Sequence, residues 1–275
     1  MEPRGLFPPA RTQAPTVPSR AGAAGPARRL DVALVPSEAR DASIVIVVDQ
    51  IRASTTITTV LDAGVEELVV ASGVAAARHM ARQTGAILAG EFHARMPRGF
   101  DFDNSPSRLS RATLAGRKLI LCTTNGTRVL GRVQGVQHVL VGCLRNADAV
   151  GEATLALADP GATIQIVCAG SQGRFVLEDA VAAGAIVSGL RRRVGEALQL
   201  TDAAKAALRL YQSFPDTWTA MVGSQGAETL RQIDALEDIA YCAVESATRT
   251  VPILLPGTPM RLAAWGGPGT SRQFS

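Results

Sequence analysis

The residues best equipped for chemistry sit together between Ser43 and Leu61. An apolar, β-branched run from Ile44 to Val48 stops at Asp49; Arg52 and the hydroxyls of Ser54, Thr55 and Thr56 follow, ahead of an apolar-periodic segment. The pattern predicts a strand, a polar loop and a helix start. Such a junction offers a carboxylate, a guanidinium, hydroxyls and free backbone N–H groups where the helix dipole favours an anion. That is a set suited to chemistry on phosphate.

Comparable junctions recur along the chain. Glu91 follows a short apolar run, and the long polar loop from Phe92 to Ser107 supplies Asn104 and Ser105 within FDFDNSP. Loops of that length inside compact domains are usually functional or disordered. KLILC, Lys118 to Cys122, runs into Thr123, Thr124, Asn125, Gly126, Thr127 and Arg128; Asn146 follows a later strand, and TIQIVC leads to Gly170. Glu178 and Asp179 open a further helix. Each has a plain structural alternative. Asp49 could cap a helix, the TTNGT loop could be turn and cap chemistry, and acids suit a helix start in any case.

Two mechanisms can be drawn from these groups. In one, two or more of Asp49, Glu91, Glu178 and Asp179 hold Mg²⁺, while Asp49, Arg52, Asn125 and Arg128 serve catalysis. Ser54, Thr55, Thr56, Asn104, Ser105, Thr123, Thr124, Gly126, Thr127, Asn146 and Gly170 are then the candidates for holding the substrate. In the other, Cys168 and Arg174 form a C-x5-R phosphate loop, but no Ser or Thr follows Arg174 and no His precedes Cys168. The metal route is therefore preferred.

Strands alternating with helices predict an α/β fold, a three-layer arrangement of a largely parallel or mixed sheet flanked by helices. Such sheets bind ligands at the carboxyl ends of their strands. Thr56 and Thr127, Gly64 and Gly135, and Val69-Val70 and Leu140-Val141 share one offset of 71 residues, which suggests a duplicated strand-loop-helix-strand unit with its two polar loops together. Residues 1–29 read as a disordered basic tail, 30–265 as one α/β domain and 266–275 as a frayed end. Val251 to Leu255 reads as an edge strand, because its proline removes a ladder donor.

With 47% hydrophobic residues the chain is globular, and no apolar run reaches membrane-spanning length. The tail carries five arginines and one acid, leaving 23 basic and 23 acidic residues elsewhere, so the folded part is neutral. That excludes the footprint of a nucleic-acid binder. Cys122, Cys143, Cys168 and Cys242 lack metal-ligand spacing and read as buried thiols. The expected partner is a small phosphate ester, with no nucleic acid or membrane and a homodimer left open; the expected location is the cytoplasm.

VDQIRASTTI, Gly90-Glu91, GFDFDNSP, TTNGTR, Asn146, CAG and LED around Cys168 and Asp179, and D-I-x-x-C from Asp238 to Cys242 occur in one order. In these motifs the chain resembles the 2-phosphosulfolactate phosphatase family of Mg²⁺-dependent acid phosphatases, from about Val45 to Leu255. The resemblance implies an α/β fold and hydrolysis of 2-phospho-3-sulfolactate to 3-sulfolactate and phosphate, a step toward coenzyme M or sulfolactate.

Overall fold

The computed structural model describes residues 27–124 and 126–267. Its strands are β1 (Arg28–Ala33), β2 (Ile44–Val48), β3 (Glu67–Ala71), β4 (Ile87–Gly90), β5 (Lys118–Cys122), β6 (His138–Gly142), β7 (Thr163–Cys168), β8 (Leu198–Leu200), β9 (Pro252–Leu255) and β10 (Met260–Ala264). Its helices are α1 (Ala53–Asp62), α2 (Val74–Thr84), α3 (Pro106–Leu109), α4 (Gly126–Arg132), α5 (Ala147–Leu157), α6 (Leu177–Val194), α7 (Asp202–Ser213), α8 (Thr217–Val222), α9 (Gln225–Gln232) and α10 (Leu236–Ala243). The strands form one sheet ordered β4-β5-β3-β10-β9-β6-β2-β7-β1-β8. β4, β5 and β3 form one parallel block, and β6, β2, β7, β1 and β8 form another. Antiparallel β9 and β10 join them. The expected α/β architecture with a mixed, largely parallel sheet is the one observed.

β2 shows why its sequence is apolar throughout. All five residues are buried, because helices cover both faces of the sheet. Ile44, Ile46 and Val48 point into a core shared with α5, α6 and α9; Val45 and Val47 point to the other side, as the two-residue period of a strand requires. That second core also takes residues from β3, β4 and β5 together with Ile57 and Val60 of α1 and Val129 and Leu130 of α4. One core thus faces both parallel blocks, so the sheet coils around α1 and α4.

The two candidate repeats, β2-α1-β3 and β5-α4-β6, pair reciprocally: β2 lies beside β6 and β3 beside β5. Their polar junctions meet. A Cβ built on Gly126, the first residue of α4, would lie 2.7 Å from the Cβ of Ala53, the first residue of α1, and 3.1 Å from Asp49 Oδ2. Only a residue without a side chain lets the two helix starts approach so closely.

Several boundaries differ from the sequence reading. β1 begins at Arg28, inside the stretch assigned to the tail, and residues 1–26 and 268–275 lie outside the described residues. The strand at Val251 to Leu255 is not an edge. β9 lies between β10 and β6, and the missing N–H is tolerated because Pro252 is the first residue of the strand. β10 escaped sequence reading because MRLAA is short and lacks clear alternation, and β8 has only three residues.

Gly126→Ala is expected to lower the unfolding free energy by about 1–3 kcal/mol through overpacking against Ala53. Thermal unfolding of the variant, and of Gly126→Ala combined with Ala53→Gly, checks this: the second change should restore part of the loss.

Candidate active site

The carboxyl ends of β2, β4, β5 and β7 open onto a cavity of about 550 Å³. Asp49, Arg52, Glu91, Asn104, Thr123, Thr124, Arg128, Gly170, Glu178 and Asp179 line it. The structure therefore brings together ten of the residues singled out in the sequence. The helix α9 supplies a wall that sequence reading missed, with Gln225, Gly226 and Thr229. Its composition carried no chemical signal.

Asp49 ends β2 and accepts a hydrogen bond from the Ala53 N–H at 3.2 Å, while the Gly126 backbone N–H also favours its charged form. Both helix starts therefore face one carboxylate. Burial nevertheless outweighs them, and with repulsion from Glu91 and Glu178 it pushes Asp49 up to about 7. Burial likewise raises Glu178. Asp179 is held well above the usual range by burial and by the charges of Asp49 and Glu178.

The acids differ in what their oxygens do. Asp179 Oδ1 accepts from the Gln50 N–H at 2.8 Å and Oδ2 from the Gly170 N–H at 2.9 Å, tying the β2 and β7 loops together. Glu91 Oε1 accepts from the Thr124 N–H at 2.7 Å, and Oε2 accepts from the Ala94 N–H and the Thr124 hydroxyl. It braces the tip at His93 and Ala94, two non-glycine residues with positive φ, against the β5 junction. Glu178 differs: Oε2 is buried with no partner.

Other candidates hold the framework and do not line the cavity. Ser54 accepts from the Asp49 N–H and donates to the Val47 carbonyl; Thr55 donates to the Gln50 carbonyl and Thr56 to the Asn104 carbonyl. These hydroxyls, expected on the substrate, are bonded to backbone groups around the start of α1 and do not line the cavity. Thr127 pairs with Thr123 at 3.0 Å and is buried, and Gly126 serves the helix contact. Ser105 caps α3 and bonds Asp238. Asn146 is fully buried and donates to the Val141 and Thr250 carbonyls, so it too is structural. Asn125 lies outside the described residues.

Arg52 Nη1 donates to Asp238 Oδ2 at 2.8 Å in a buried ion pair. Arg128 is exposed at the cavity and makes no hydrogen bond or ion pair among the described residues. The C-x5-R alternative finds no support in the geometry. Cys168 is buried, and burial with the nearby charges of Asp179 and Glu38 raises its thiol well above the ordinary range, the reverse of what a nucleophilic thiolate needs.

The family comparison matches residues 31–256 to the 2-phosphosulpholactate phosphatase model. The chain belongs to that family. It is 33% identical over 229 residues to a probable 2-phosphosulfolactate phosphatase of Thermotoga petrophila, covering 83% of this chain and 96% of the relative. It is 37% identical over 232 residues to a protein of the same name from Deinococcus radiodurans, covering 83% and 94%. A third such protein, from Thermus thermophilus, is 34% identical over 228 residues, covering 82% and 94%. The family match takes in every residue that lines the cavity.

Among the described residues, no group of three His, Cys, Asp or Glu is gathered tightly enough to hold a metal ion by itself. Mg²⁺ does not need one, since it binds through one or two carboxylates, waters and substrate phosphate. The unpartnered Glu178 Oε2 and its mutually repelling neighbour Asp49 fit that requirement. Asp179 and Glu91 have their oxygens engaged.

The raised Asp49 sets a pH-dependent stability. A carboxyl whose folded pKa of about 7 exceeds its unfolded value stabilises fully at low pH, and that contribution is lost as pH rises through 7. In chelator-treated protein, Asp49→Asn should therefore raise stability at pH 8 and bring little gain at pH 4. Denaturant melts at the two pH values test it. Gly226→Ala should place a methyl group against Glu178 Oε1 and within 3.0 Å of Ile51 Cβ, displace that carboxylate and lower any turnover by about tenfold or more, measured below the variant's own unfolding midpoint.

Proposed function

We propose that this chain is a Mg²⁺-dependent phosphatase acting on a small phosphate monoester that carries further negative charge. 2-Phosphosulfolactate, the compound in its relatives' names, is the leading candidate. The observation carrying this reading is the single cavity in which buried Asp49 and Glu178 meet Arg52 and Arg128. Carboxylates alone would repel a phosphate, and arginines alone would bind it without means to activate attack. Together they suit metal-assisted phosphoryl transfer.

Asp49 and Glu178 would hold the ion. Bound there, Mg²⁺ supplies positive charge to the phosphate oxygens and orientation to an attacking group. Arg52, immobilised by Asp238, donates to phosphoryl oxygens from a fixed direction, and fixed donors cost little reorganisation during reaction. Arg128, at the exposed side, meets the remaining anionic group of the substrate. Thr123 and Thr124 at the β5 junction add donors, and α9 with the tips at His93 and Gln172 limits water access. Cytoplasmic location accords with an enzyme for a small metabolite; among the described residues no helix is long and apolar enough to cross a membrane.

Phosphate release from a panel of esters with Mg²⁺ should rank acid-bearing monoesters first. Asp49→Asn should abolish turnover in a folded protein, EDTA should silence the wild type reversibly, and Cys168→Ser should stay within about twofold. Undiminished hydrolysis by Asp49→Asn would sink the assignment. A non-catalytic anion binder would instead show thermal shifts without phosphate release.

A further inference from the structure

Asp238 lies in the first turn of α10, is 1% exposed, and does not line the active cavity. Its carboxylate nevertheless joins two parts of the site that are far apart in sequence. Oδ2 accepts from Arg52 Nη1 at 2.8 Å; Oδ1 accepts from the Ser105 hydroxyl at 2.7 Å and the Ser107 N–H at 3.1 Å. Arg52 belongs to the junction after β2, and Ser105 and Ser107 to the segment after the long loop that follows β4.

Between these anchors sits Asn104, which lines the cavity. Its carbonyl accepts from the Thr56 hydroxyl at 3.1 Å, and its neighbour Ser105 is held by Asp238. Its side-chain Oδ1 is buried and unpartnered. Buried polar atoms are nearly always satisfied, so a residue fixed on both sides and left with an idle amide beside a cavity is placed to meet a ligand. The amide can present either its oxygen or its NH₂ group.

We propose that Asp238 is a positioning residue that sets the Arg52 guanidinium and the Asn104 amide as one rigid edge for the phosphoryl group. The inference rests on reading the cavity as a phosphatase site. Through the ion pair Asp238 fixes the direction of Arg52; through Ser105 and Ser107 it fixes the loop carrying Asn104. It also offsets the charge of Arg52, so this edge selects its ligand by hydrogen-bond geometry and leaves net attraction to Arg128.

The test combines ester turnover with calorimetric binding of inorganic phosphate in the presence of Mg²⁺. Asp238→Asn should weaken phosphate binding and lower kcat/KM by about tenfold or more. Adding it to Arg52→Gln should cost less than about threefold beyond Arg52→Gln alone, since one residue acts through the other. A purely structural role lowers the unfolding free energy but leaves phosphate binding by the folded protein within about twofold of wild type, and that result overturns the proposal. Because Asp238→Asn strands a buried guanidinium, Arg52→Gln/Asp238→Asn and Ser105→Ala carry the test if the single variant does not fold. Ser105→Ala keeps both charges and should weaken phosphate binding by about threefold or more; binding within twofold of wild type in that variant overturns the proposal. If the wild type hydrolyses no ester yet loses phosphate binding in these variants, the functional reading fails and the positioning role stands. A wild type that binds no phosphate overturns both.

Discussion

Three carboxylates, Asp49, Glu178 and Asp179, are buried near one another, and among the described residues no arginine or lysine is paired to any of them. Each is worse off ionised there than in water, and each charge raises the cost of the next. The surrounding structure accepts that penalty and directs backbone amides of Ala53, Gln50 and Gly170 onto two of the acids. Glu178 keeps an unsatisfied oxygen. A divalent cation is the simplest species that would relieve all three together, which is why the proposed chemistry follows from an electrostatic defect.

That defect depends on the coil of the sheet. The pairing order puts several strands between β2 and β5, yet the starts of α1 and α4 touch through Ala53 and Gly126. The shared apolar core around α1 and α4 pulls the two parallel blocks around it. Antiparallel β9 and β10 form the seam that lets one block reverse against the other. Packing of Ile57, Val60, Val129 and Leu130 thus decides that Asp49 and Thr124 share a cavity.

Polar groups that looked alike in sequence divide into two populations. Ser54, Thr55, Thr56 and Asn146 are turned into the framework, where they satisfy backbone groups, and Thr127 is buried against the Thr123 hydroxyl. Asn104, Thr124, Arg128 and Glu178 face the cavity. No local rule separates the populations, because a threonine capping a helix and a threonine facing a phosphate have the same neighbours in sequence. Asp238 shows the converse: an acid in a helical stretch, visible in sequence only as the start of D-I-x-x-C, holds Arg52 and Ser105 at once.

The sequence by itself determined the α/β class, the strand at Ile44 to Val48 and those at Lys118 to Cys122 and Thr163 to Cys168, and the motifs of the phosphatase family. Those features are set by short-range apolar periodicity and by residue order, which any reader of the chain can see. Tertiary structure alone decided that β9 is interior, that the hydroxyls of α1 serve the backbone, that both oxygens of Glu91 and of Asp179 are engaged by loop amides, and that Glu178 Oε2 has no partner. The physical reason is that a polar atom's role depends on which partners the fold brings to it, whether five residues away, as for Thr55 and Gln50, 33 away, as for Glu91 and Thr124, or 129 away, as for Gln50 and Asp179.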